Sequence, residues 1–520
     1  MAGKAALHNL GCKVNAYETE MMRGLLEEAG YEIVPFAPGA DVYVINTCTV
    51  TNIADRKSRQ MLHKARKMNP DAIVVAVGCY VETAVTPVEE DGTVDLVLGN
   101  RQKQDIVEVL RQFEAARMGI DSSAGINTSG ENENAAFGQT AANQQPNEQS
   151  GKVTNCYPLE EQSGQAMVSC SPNEQSKPAP GSNLLVKRVQ QAAINNQTDV
   201  WENQIDTKSE ITHTADQVCG RGNLYDREHT RACIKVQDGC NQFCTYCIIP
   251  YARGRIQSRP IEDVLREIRV LSNGGCREVV LTGIHLSSYG KDTGTTLLSL
   301  IQAVHEIPGI GRIRLGSLEP GIITEEFARA LRRLPKVCPH FHLSLQSGCD
   351  TVLKRMNRHY TAEEYARKCA ILREVFDRPA LTTDVIVGFP QETLEEFGET
   401  VSFLRQIRLY ETHIFKYSAR HGTRAAAMSG QIPESDKSIR SNVLIELGEQ
   451  NRTLYEQECQ GMVCEALFEE KMAINGTDYF VGYTKEYVRV AVPAKAAAQN
   501  QILGGTLGKP LVPHVIALNM

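Results

Sequence analysis

The sequence has little that is typical of a membrane or secreted protein. Its longest uninterrupted apolar run, residues 72–77, is far shorter than the roughly 20 residues that a helix needs to cross a bilayer. The N-terminal stretch MAGKAALHNLGCK lacks the apolar segment that follows the basic start of a secretory signal. We therefore expect an intracellular protein, located in the cytoplasm and without a membrane partner.

A strong excess of charge of one sign is also missing. The chain carries 55 lysines and arginines against 62 aspartates and glutamates, which gives a net charge of −7. This balance argues weakly against general affinity for nucleic acid, although a local basic patch can bind RNA whatever the total charge. With 520 residues, of which 42% are hydrophobic, the chain should form several globular domains, because one core rarely extends that far.

The sixteen cysteines do not follow the pattern of a disulfide framework. Reducing compartments keep thiols free, so cysteines of an intracellular chain are more often metal ligands or catalytic groups. Metal binding by cysteine is therefore the first chemistry to consider.

Four segments of the chain differ in character. Residues 1–114 alternate apolar runs with amphipathic stretches, which predicts an α/β domain with a parallel sheet. Residues 115–226 are rich in Asn, Gln, Ser, Glu and Gly, and we expect a largely disordered insertion. Residues 227–453 predict a partial (β/α)6 barrel, and residues 454–520 a small β-barrel. The predicted barrel strands are 232–237, 278–282, 312–317, 341–346, 381–387 and 412–417.

Three cysteines follow the first predicted barrel strand at close spacing. Cys240, Cys244 and Cys247 lie in the stretch QDGCNQFCTYCIIPYARGR and offer three thiolates from one short loop. Soft thiolates suit iron–sulfur clusters or zinc, but a structural zinc site needs four ligands, and no fourth Cys or His follows at short range. A four-iron cluster held by three thiolates would keep one iron open. Zinc completed by a remote ligand and inert buried cysteines are the alternatives.

The spacing C-x3-C-x2-C after the first of six barrel strands resembles that of the radical S-adenosylmethionine enzymes. In that superfamily the open iron chelates the amino and carboxylate groups of S-adenosylmethionine. Electron transfer into the sulfonium then yields a 5'-deoxyadenosyl radical. The resemblance implies a [4Fe-4S] cluster on Cys240, Cys244 and Cys247, and an external electron donor as a partner.

Other predicted barrel strands also end on small or polar residues. Glu319, Ser344 and Asp384 lie in the strand-end segments SLEP, SLQSG and DVIVGFP. Each segment taken alone could be an ordinary turn. Because the active site of such a barrel lies beyond the carboxyl ends of its strands, their shared position makes these residues candidate contacts for S-adenosylmethionine.

A second set of cysteines follows the strands of the N-terminal segment. Cys12, Cys48 and Cys79 each come after a predicted strand and are 36 and 31 positions apart. Parallel strands bring their carboxyl ends to one edge of a sheet, so these thiols should converge and could bind a second cluster. Three separate buried cysteines are the alternative, since Cys is among the most buried residue types.

Two cysteine triplets in this order resemble the methylthiotransferases, and the resemblance extends over essentially the whole chain outside the insertion. That family combines a cysteine-bearing N-terminal domain, a radical barrel and a small β-barrel called TRAM. The resemblance implies two [4Fe-4S] clusters, of which the second, on Cys12, Cys48 and Cys79, delivers sulfur. It also implies a second S-adenosylmethionine that supplies the methyl group. We expect the enzyme to be a monomer.

Known methylthiotransferases modify adenosine 37 of certain tRNAs or an aspartate of a small-subunit ribosomal protein. The segments GCKVNAYETE and INTCTVTNIADRKSR are most similar to the branch that converts N6-threonylcarbamoyladenosine in tRNA to its 2-methylthio derivative. The resemblance therefore implies a tRNA substrate. Aspartate methylthiolation of a ribosomal protein, and a non-catalytic, zinc-stabilised RNA-binding protein, are the alternatives.

Clusters of basic residues are compatible with an RNA partner. Such groups can neutralise phosphates, although a solvated helix face explains a basic helix as well. The candidates are Arg56, Lys57, Arg59, Lys64, Arg66 and Lys67 on one predicted helix, Arg253, Arg255 and Arg259 after the loop that carries Cys240, Cys244 and Cys247 (called the radical loop below), and Lys485, Arg489 and Lys495 in the last segment.

The remaining histidines and cysteines near the predicted strands are interpreted as packing residues. A satisfied core histidine is commoner than a ligand or a proton shuttle, and these cysteines lack paired spacing. The residues are His285, His340, His342 and His413, with Cys233, Cys276, Cys338, Cys349, Cys369, Cys459 and Cys464.

Overall fold

The computed structural model describes residues 3–84, 92–117 and 230–520. The predicted disordered insertion at 115–226 lies outside the described residues, apart from 115–117 at the end of a helix. Cys156, Cys170 and Cys219 also lie outside them. Among the described helices, none combines the length and the apolar character that crossing a membrane requires.

The N-terminal domain is a five-stranded parallel sheet with strand order β2-β1-β3-β4-β5, which confirms the prediction. Every residue of β3 and β4 is buried, as expected for central parallel strands covered on both faces. The strands are β1 Lys4–Asn9, β2 Glu32–Ile33, β3 Val42–Thr47, β4 Ile73–Gly78 and β5 Leu96–Leu98. The helices are α1 Lys13–Glu28, α2 Asn52–Met68, α3 Cys79–Thr83 and α4 Ile106–Arg117.

The central domain is an open barrel of six parallel strands, as predicted. Strands β6, β8 and β9 pair in one sheet and β10, β11 and β12 in another, and an isolated bridge between Leu318 and Leu343 joins them. The six barrel strands are β6 Arg231–Asp238, β8 Glu278–Gly283, β9 Arg312–Leu315, β10 His340–His342, β11 Ala380–Val387 and β12 Glu411–Lys416. A short additional strand, β7 Gln257–Ser258, lies between β6 and β8 in the sequence.

Helices alternate with the barrel strands along the chain. They are α5 Ile249–Arg253, α6 Ile261–Asn273, α7 Leu297–His305, α8 Glu325–Arg332, α9 Asp350–Arg355, α10 Ala362–Val375, α11 Leu394–Ile407 and α12 Glu434–Glu458. Four of them begin at a threonine whose hydroxyl accepts a hydrogen bond from the first turn, namely Thr296, Thr324, Thr361 and Thr393. Local capping thus fixes where these helices start relative to the strand ends.

The fourth barrel strand is shorter than predicted. The sequence indicates a strand at 341–346, whereas β10 ends at His342. Gln346 has a left-handed backbone with φ of 73°, which is incompatible with an extended strand. The chain therefore leaves the sheet here, and residues after His342 keep only single bridges to their neighbours, at Leu343 and Gln346.

The C-terminal segment forms a closed five-stranded barrel with strand order β13-β14-β15-β17-β16, which confirms the predicted small β-barrel. Its core contains Phe468, Val490, Leu507 and Ile516. The strands are β13 Val463–Ile474, β14 Thr477–Thr484, β15 Arg489–Pro493, β16 Ile502–Val512 and β17 Val515–Asn519.

Buried arginines of the central barrel hold the C-terminal barrel against it. Arg312 donates to the carbonyl oxygens of Tyr483 at 2.8 Å and Glu465 at 2.7 Å, and Arg314 donates to that of Lys485 at 3.0 Å. Glu278 pairs with Arg314 at 2.8 Å and so balances charge in this buried contact. The contact therefore uses backbone acceptors, and it also includes apolar residues, since Ala380 and Tyr410 of the central domain share a core cluster with residues of the C-terminal barrel.

We expect Gly239→Ala to destabilise the protein more than Gly275→Ala does. Both glycines have positive φ, 68° and 94°, where an alanine costs about 1 kcal/mol. A Cβ at Gly239 would also lie 1.9 Å from the carbonyl oxygen of Arg255, whereas one at Gly275 meets no described atom within 4 Å. The additional clash should raise the loss for Gly239→Ala to about 3 kcal/mol, measured by urea unfolding. Equal losses for the two variants would show that this close backbone approach is absent.

Candidate active site

The loop between β6 and α5 brings Cys240, Cys244 and Cys247 together. The amide of Cys240 donates to the carbonyl of Gly254 at 3.1 Å, and that of Cys247 to the carbonyl of Cys244 at 2.9 Å. Burial raises the pKa of Cys240, and burial together with the neighbouring Cys244 raises that of Cys247 to about 12. A bound cation would favour the thiolates of Cys240 and Cys247, which fits a soft metal cluster on this loop.

Glu319 lies beside this loop in a set of polar contacts. Its carboxylate accepts hydrogen bonds from Gln242 at 2.8 Å and from His285 at 2.9 Å, and it pairs with Arg358 at 3.4 Å. Burial alone would raise the pKa of Glu319, but the His285 hydrogen bond and the Arg358 charge lower it. The same guanidinium donates to the Cys244 sulfur at 3.2 Å. Glu319 is thus an anchored, ionised acceptor next to the thiols.

Ser344 and Asp384 lie elsewhere on the inner barrel wall. Ser344 follows β10, where its amide donates to Leu318 at 3.0 Å and its carbonyl accepts from the Tyr360 hydroxyl at 2.7 Å. Asp384 lies in the middle of β11 and pairs with His342 of β10 at 3.4 Å. The structure therefore places Glu319 with the radical loop, and places Asp384 with a histidine on the neighbouring strand.

The ligand atoms of His342, Asp384 and His413 lie within 4.8 Å of one another on three adjacent strands. The rings of the two histidines stack with centroids 5.9 Å apart. Two imidazoles and one carboxylate are ligands that divalent transition metals accept. The prediction that His342 and His413 are core residues is wrong, because both belong to the barrel interior that faces the cavity.

The open barrel encloses a cavity of about 990 Å³. Its walls come from the inner faces of the barrel strands, from α1 of the N-terminal domain and from the C-terminal barrel. Lys13 and Cys233 lie on its wall, so Cys233 is not the packing residue that the sequence suggests. Burial lowers the pKa of Lys13; Cys233 and Asp384 oppose this effect, while Arg314 and Arg231 add to it.

The N-terminal cysteines lie at one edge of their sheet, as the strand order predicts. Cys12 is the N-cap of α1, Cys48 follows β3, and Cys79 is the first residue of α3. A Cβ on Gly11 would lie 2.9 Å from the Cys48 sulfur, so the ends of β1 and β3 nearly touch. Burial, with Cys79 and Cys12 close by, raises the pKa of Cys48 to about 11. This donor set also fits a thiolate-bound cluster.

Arg253 links the two cysteine sets. Its guanidinium is fully buried and donates to the Cys79 sulfur at 3.2 Å and to the side-chain oxygen of Asn15 at 2.7 Å. It also contacts Glu18 at 2.9 Å and Asp238 at 3.1 Å. Arg253 lies on α5, directly after the radical loop, whereas Asn15 and Glu18 lie on α1. One side chain therefore bridges the N-terminal domain and the barrel.

The carboxylate of Glu18 meets three cations in this bridge. It contacts Lys103, Lys235 at 2.7 Å and Arg253. Burial alone would raise the pKa of Glu18, but these three cations lower it well below its ordinary value. The bridge is a buried ion network in which each charge has a partner of opposite sign.

These contacts correct the hypothesis that Arg253 and Arg259 neutralise RNA phosphates. Arg253 is enclosed as described, and Arg259 pairs with Glu267 at 2.8 Å and donates to the Lys235 carbonyl at 2.8 Å. Arg255 stays exposed, with its guanidinium 5.2 Å from the Phe243 ring. Of these three arginines, only Arg255 is therefore open to RNA.

The other basic candidates also divide into residues with protein partners and residues that are exposed. Arg66 of α2 pairs with Asp95 and donates to the backbone carbonyls of Thr93 at 3.1 Å and Ala72 at 2.8 Å. In the C-terminal barrel Lys485 and Arg489 pair with Glu465 at 3.6 Å and Glu470 at 3.2 Å. The exposed basic residues of α2 are Arg56, Lys57, Arg59, Lys64 and Lys67.

Sequence reasoning missed several residues of the site. His285 was expected to be a core histidine, yet it holds Glu319. The sequence predicted no role for Arg358 and Gln242, although each contacts the radical loop or Glu319. Lys13 stands next to Cys12, and this adjacency is the one signal that could have singled it out. Buried packing was correctly predicted for Cys276, Cys349, Cys369 and Cys459.

Comparison with known proteins gives matches over most of the chain. Residues 4–99 match the uncharacterized protein family UPF0004, and residues 234–404 match the Radical SAM superfamily. Threonylcarbamoyladenosine tRNA methylthiotransferase MtaB of Bacillus subtilis is 36% identical, covering 93% of this chain and 89% of that protein. The protein of the same name from Aquifex aeolicus is 33% identical, covering 92% and 95%. A tRNA-2-methylthio-N(6)-dimethylallyladenosine synthase from Acetivibrio thermocellus is 31% identical, covering 92% and 83%.

We expect Arg253→Met to destabilise the protein by about 3–5 kcal/mol, because it leaves buried carboxylates without their cation. Arg255→Met is the matched control, since Arg255 is exposed two positions away and should change stability by less than about 0.5 kcal/mol. Urea unfolding of both variants measures the difference. A loss for Arg253→Met no larger than that of the control would contradict the bridging role.

Proposed function

This chain belongs to the methylthiotransferase family of radical S-adenosylmethionine enzymes, and on that basis we propose that it acts on N6-threonylcarbamoyladenosine at position 37 of tRNA. The product is the 2-methylthio derivative. The relatives named for this substrate support the choice, because over at least 92% of the chain they are 36% and 33% identical, against 31% for a relative named for dimethylallyladenosine; another of that name is 42% identical over 47% of the chain. A cytoplasmic location and a monomeric enzyme with an external electron donor fit this reaction.

The enzyme uses S-adenosylmethionine and two [4Fe-4S] clusters, and we assign their ligands from the two thiol sets. Cys240, Cys244 and Cys247 would hold the cluster that keeps one iron open for S-adenosylmethionine. Cys12, Cys48 and Cys79 would hold the second. When bound, these groups supply electron transfer to S-adenosylmethionine at the first site and sulfur at the second. The raised pKa values of Cys48 and Cys247 support this assignment, since only a bound cation would make these thiols ionise.

The protein's own side chains orient the cofactor and exclude competing contacts. Glu319 is fixed by Gln242 and His285, so its carboxylate can accept hydrogen bonds from the cofactor without reorganising. Arg358 donates to the Cys244 sulfur and keeps Glu319 in place. Ser344 and Asp384, on the same inner wall, are further contacts for the adenosine part of the cofactor.

The single observation that carries the proposal is the bridge formed by Arg253. Its guanidinium touches Cys79 of the second thiol set, and Arg253 itself lies on α5, the helix that follows Cys247 of the first set. Arg253 thereby keeps the thiol set assigned to sulfur delivery next to the thiol set assigned to radical formation. A radical enzyme with one cluster has no need of such a second thiol set, whereas methylthiolation needs both.

An RNA loop fits the exposed surface beside the radical loop. Tyr251 of α5 is 59% exposed and lies against Phe243, with ring centroids 5.9 Å apart, and Arg255 covers the other ring. Unpaired bases stack on such aromatic and guanidinium surfaces, and the lysines and arginines exposed on α2 can meet the backbone phosphates. This surface favours an anticodon loop over a folded ribosomal protein.

Deletion of the gene should remove the 2-methylthio derivative of N6-threonylcarbamoyladenosine from total tRNA and leave the unmodified precursor in its place. Mass spectrometry of nucleoside hydrolysates measures both species, and re-expression of the chain should restore the product. Ribosomal-protein masses measured on the same cells serve as a control and should not change. An unaltered nucleoside profile with a lighter ribosomal protein would overturn the tRNA assignment.

Reconstituted enzyme should contain about eight irons, and a Cys12→Ala/Cys48→Ala/Cys79→Ala variant about four. Iron and sulfide assays with EPR measure this loss. The variant should still cleave S-adenosylmethionine, because its radical loop is intact, but it should form no methylthio product. A Cys349→Ala/Cys459→Ala/Cys464→Ala variant controls for the number of thiols removed and should keep about eight irons. Equal iron in wild type and the first variant would overturn the second cluster.

A further inference from the structure

The cavity of the central barrel is lined by an ammonium group that forms no ion pair with the described residues. Lys13, the first residue of α1, lies on the cavity wall. In the described part of the chain, no carboxylate or other acceptor binds its ammonium group. The Lys13 side chain is exposed, so a ligand that enters the cavity can reach its ammonium group, and a ligand that supplies an anion there gains a charge-assisted contact.

The other charged side chains of the wall are already paired. Their partners lie on the central domain, on α1 or on the C-terminal barrel within 3.5 Å, and each is an ion pair apart from Asp384 with His342, in which the histidine is charged only if protonated. The pairs are Glu20 with Arg23, Arg231 with Glu469, Glu267 with Arg259, Arg314 with Glu278, Asp384 with His342, Glu411 with Arg452, and Glu470 with Arg489. Among the described cations of the wall, Lys13 is therefore the one without an ion pair, and the Asp384 carboxylate acts on it only from a greater distance.

We propose that Lys13 binds the free carboxylate of the threonylcarbamoyl group of the substrate. This inference rests on the proposed function, because it concerns how that substrate is recognised. A threonine joined to the base through its amino group keeps its carboxylate, which is a full negative charge at physiological pH. A lysine ammonium binds such a group by charge-assisted hydrogen bonds. A dimethylallyl group carries no charge and leaves the ammonium unpaired.

The position of Lys13 suits the substrate better than the cofactor. The cavity wall around Lys13 includes none of the six cysteines assigned to clusters, so the amino-acid end of a cofactor held at the loop of Cys240, Cys244 and Cys247 lies elsewhere. Lys13 instead directly follows Cys12 of the second thiol set. A carboxylate bound by Lys13 holds the modified base beside the cysteines to which sulfur delivery is assigned.

The experiment compares two anticodon stem-loop RNAs, one with threonylcarbamoyladenosine at position 37 and one with its neutral carboxamide analogue. Lys13→Gln should lower kcat/KM and affinity for the carboxylate RNA by about 10- to 100-fold. For the carboxamide RNA the change should stay below about 3-fold, because that contact has no charge to lose. Lys13→Arg should restore part of the affinity. Fluorescence anisotropy gives the affinity without requiring turnover.

Lys4→Gln is the matched control, since Lys4 begins β1 at the opposite end of the strand from Cys12 and its side chain is exposed. It should leave both RNAs unaffected. Iron content and S-adenosylmethionine cleavage without RNA should be the same in all variants, which excludes damage at neighbouring Cys12.

Equal losses on the two RNAs, or on RNA with unmodified adenosine, would overturn the inference and show that Lys13 binds a phosphate or positions the cluster. No loss on the carboxylate RNA would overturn it as well. Both results leave the proposed function standing if the wild type methylthiolates the carboxylate RNA. A wild type that does not act on this RNA, but does act on another substrate, overturns the proposed function itself.

Discussion

The buried ion network around Arg253 is the constraint on which the relation between the two thiol sets depends. Ions leave water at a cost of several kcal/mol each, so a buried guanidinium is tolerated only where carboxylates meet it with good geometry. Glu18 and Asp238 do this from two different domains, at 2.9 and 3.1 Å. Any rigid-body shift of the N-terminal domain would separate these charges. The network therefore fixes Cys79 relative to the radical loop more firmly than an apolar contact would, since apolar surfaces can slide.

The thiols themselves are arranged so that a cluster completes the structure. In both sets burial is the first cause of the raised pKa, and neighbouring sulfurs add to it at Cys48 and Cys247. Neutral thiols in a confined space gain little from one another, whereas thiolates on iron are compensated by the metal charge. Arg253 and Arg358 each donate to one sulfur, at Cys79 and Cys244. Such hydrogen bonds to sulfur are one way in which a protein sets the reduction potential of a cluster.

The fold could be predicted to a large extent because its elements follow local rules. Buried parallel strands are continuous apolar runs, as in β3 and β4, and their carboxyl ends meet at one edge, which is why Cys12, Cys48 and Cys79 could be grouped over intervals of 36 and 31 residues. The site could be predicted only in part. The roles of Arg253 and Arg259 were wrong because exposure of a basic residue depends on partners distant in sequence, such as Glu18 and Glu267. The length of β10 was wrong because a single left-handed residue, Gln346, ends the extended run.

Charge balance, rather than shape, explains how one barrel could accept one modified adenosine and reject another. A wall of paired ions behaves as a polar but neutral surface, to which charged and uncharged substituents bind with little distinction. One unpaired lysine breaks this neutrality. A ligand with a carboxylate gains a charge-assisted contact, and an apolar ligand displaces water from the ammonium without supplying a partner. Both effects act in the same direction, so discrimination needs no clash with the wrong substrate. Such a residue cannot be recognised from composition, since the chain has 55 basic residues, and what distinguishes Lys13 is its place on the cavity wall without an ion pair among the described residues.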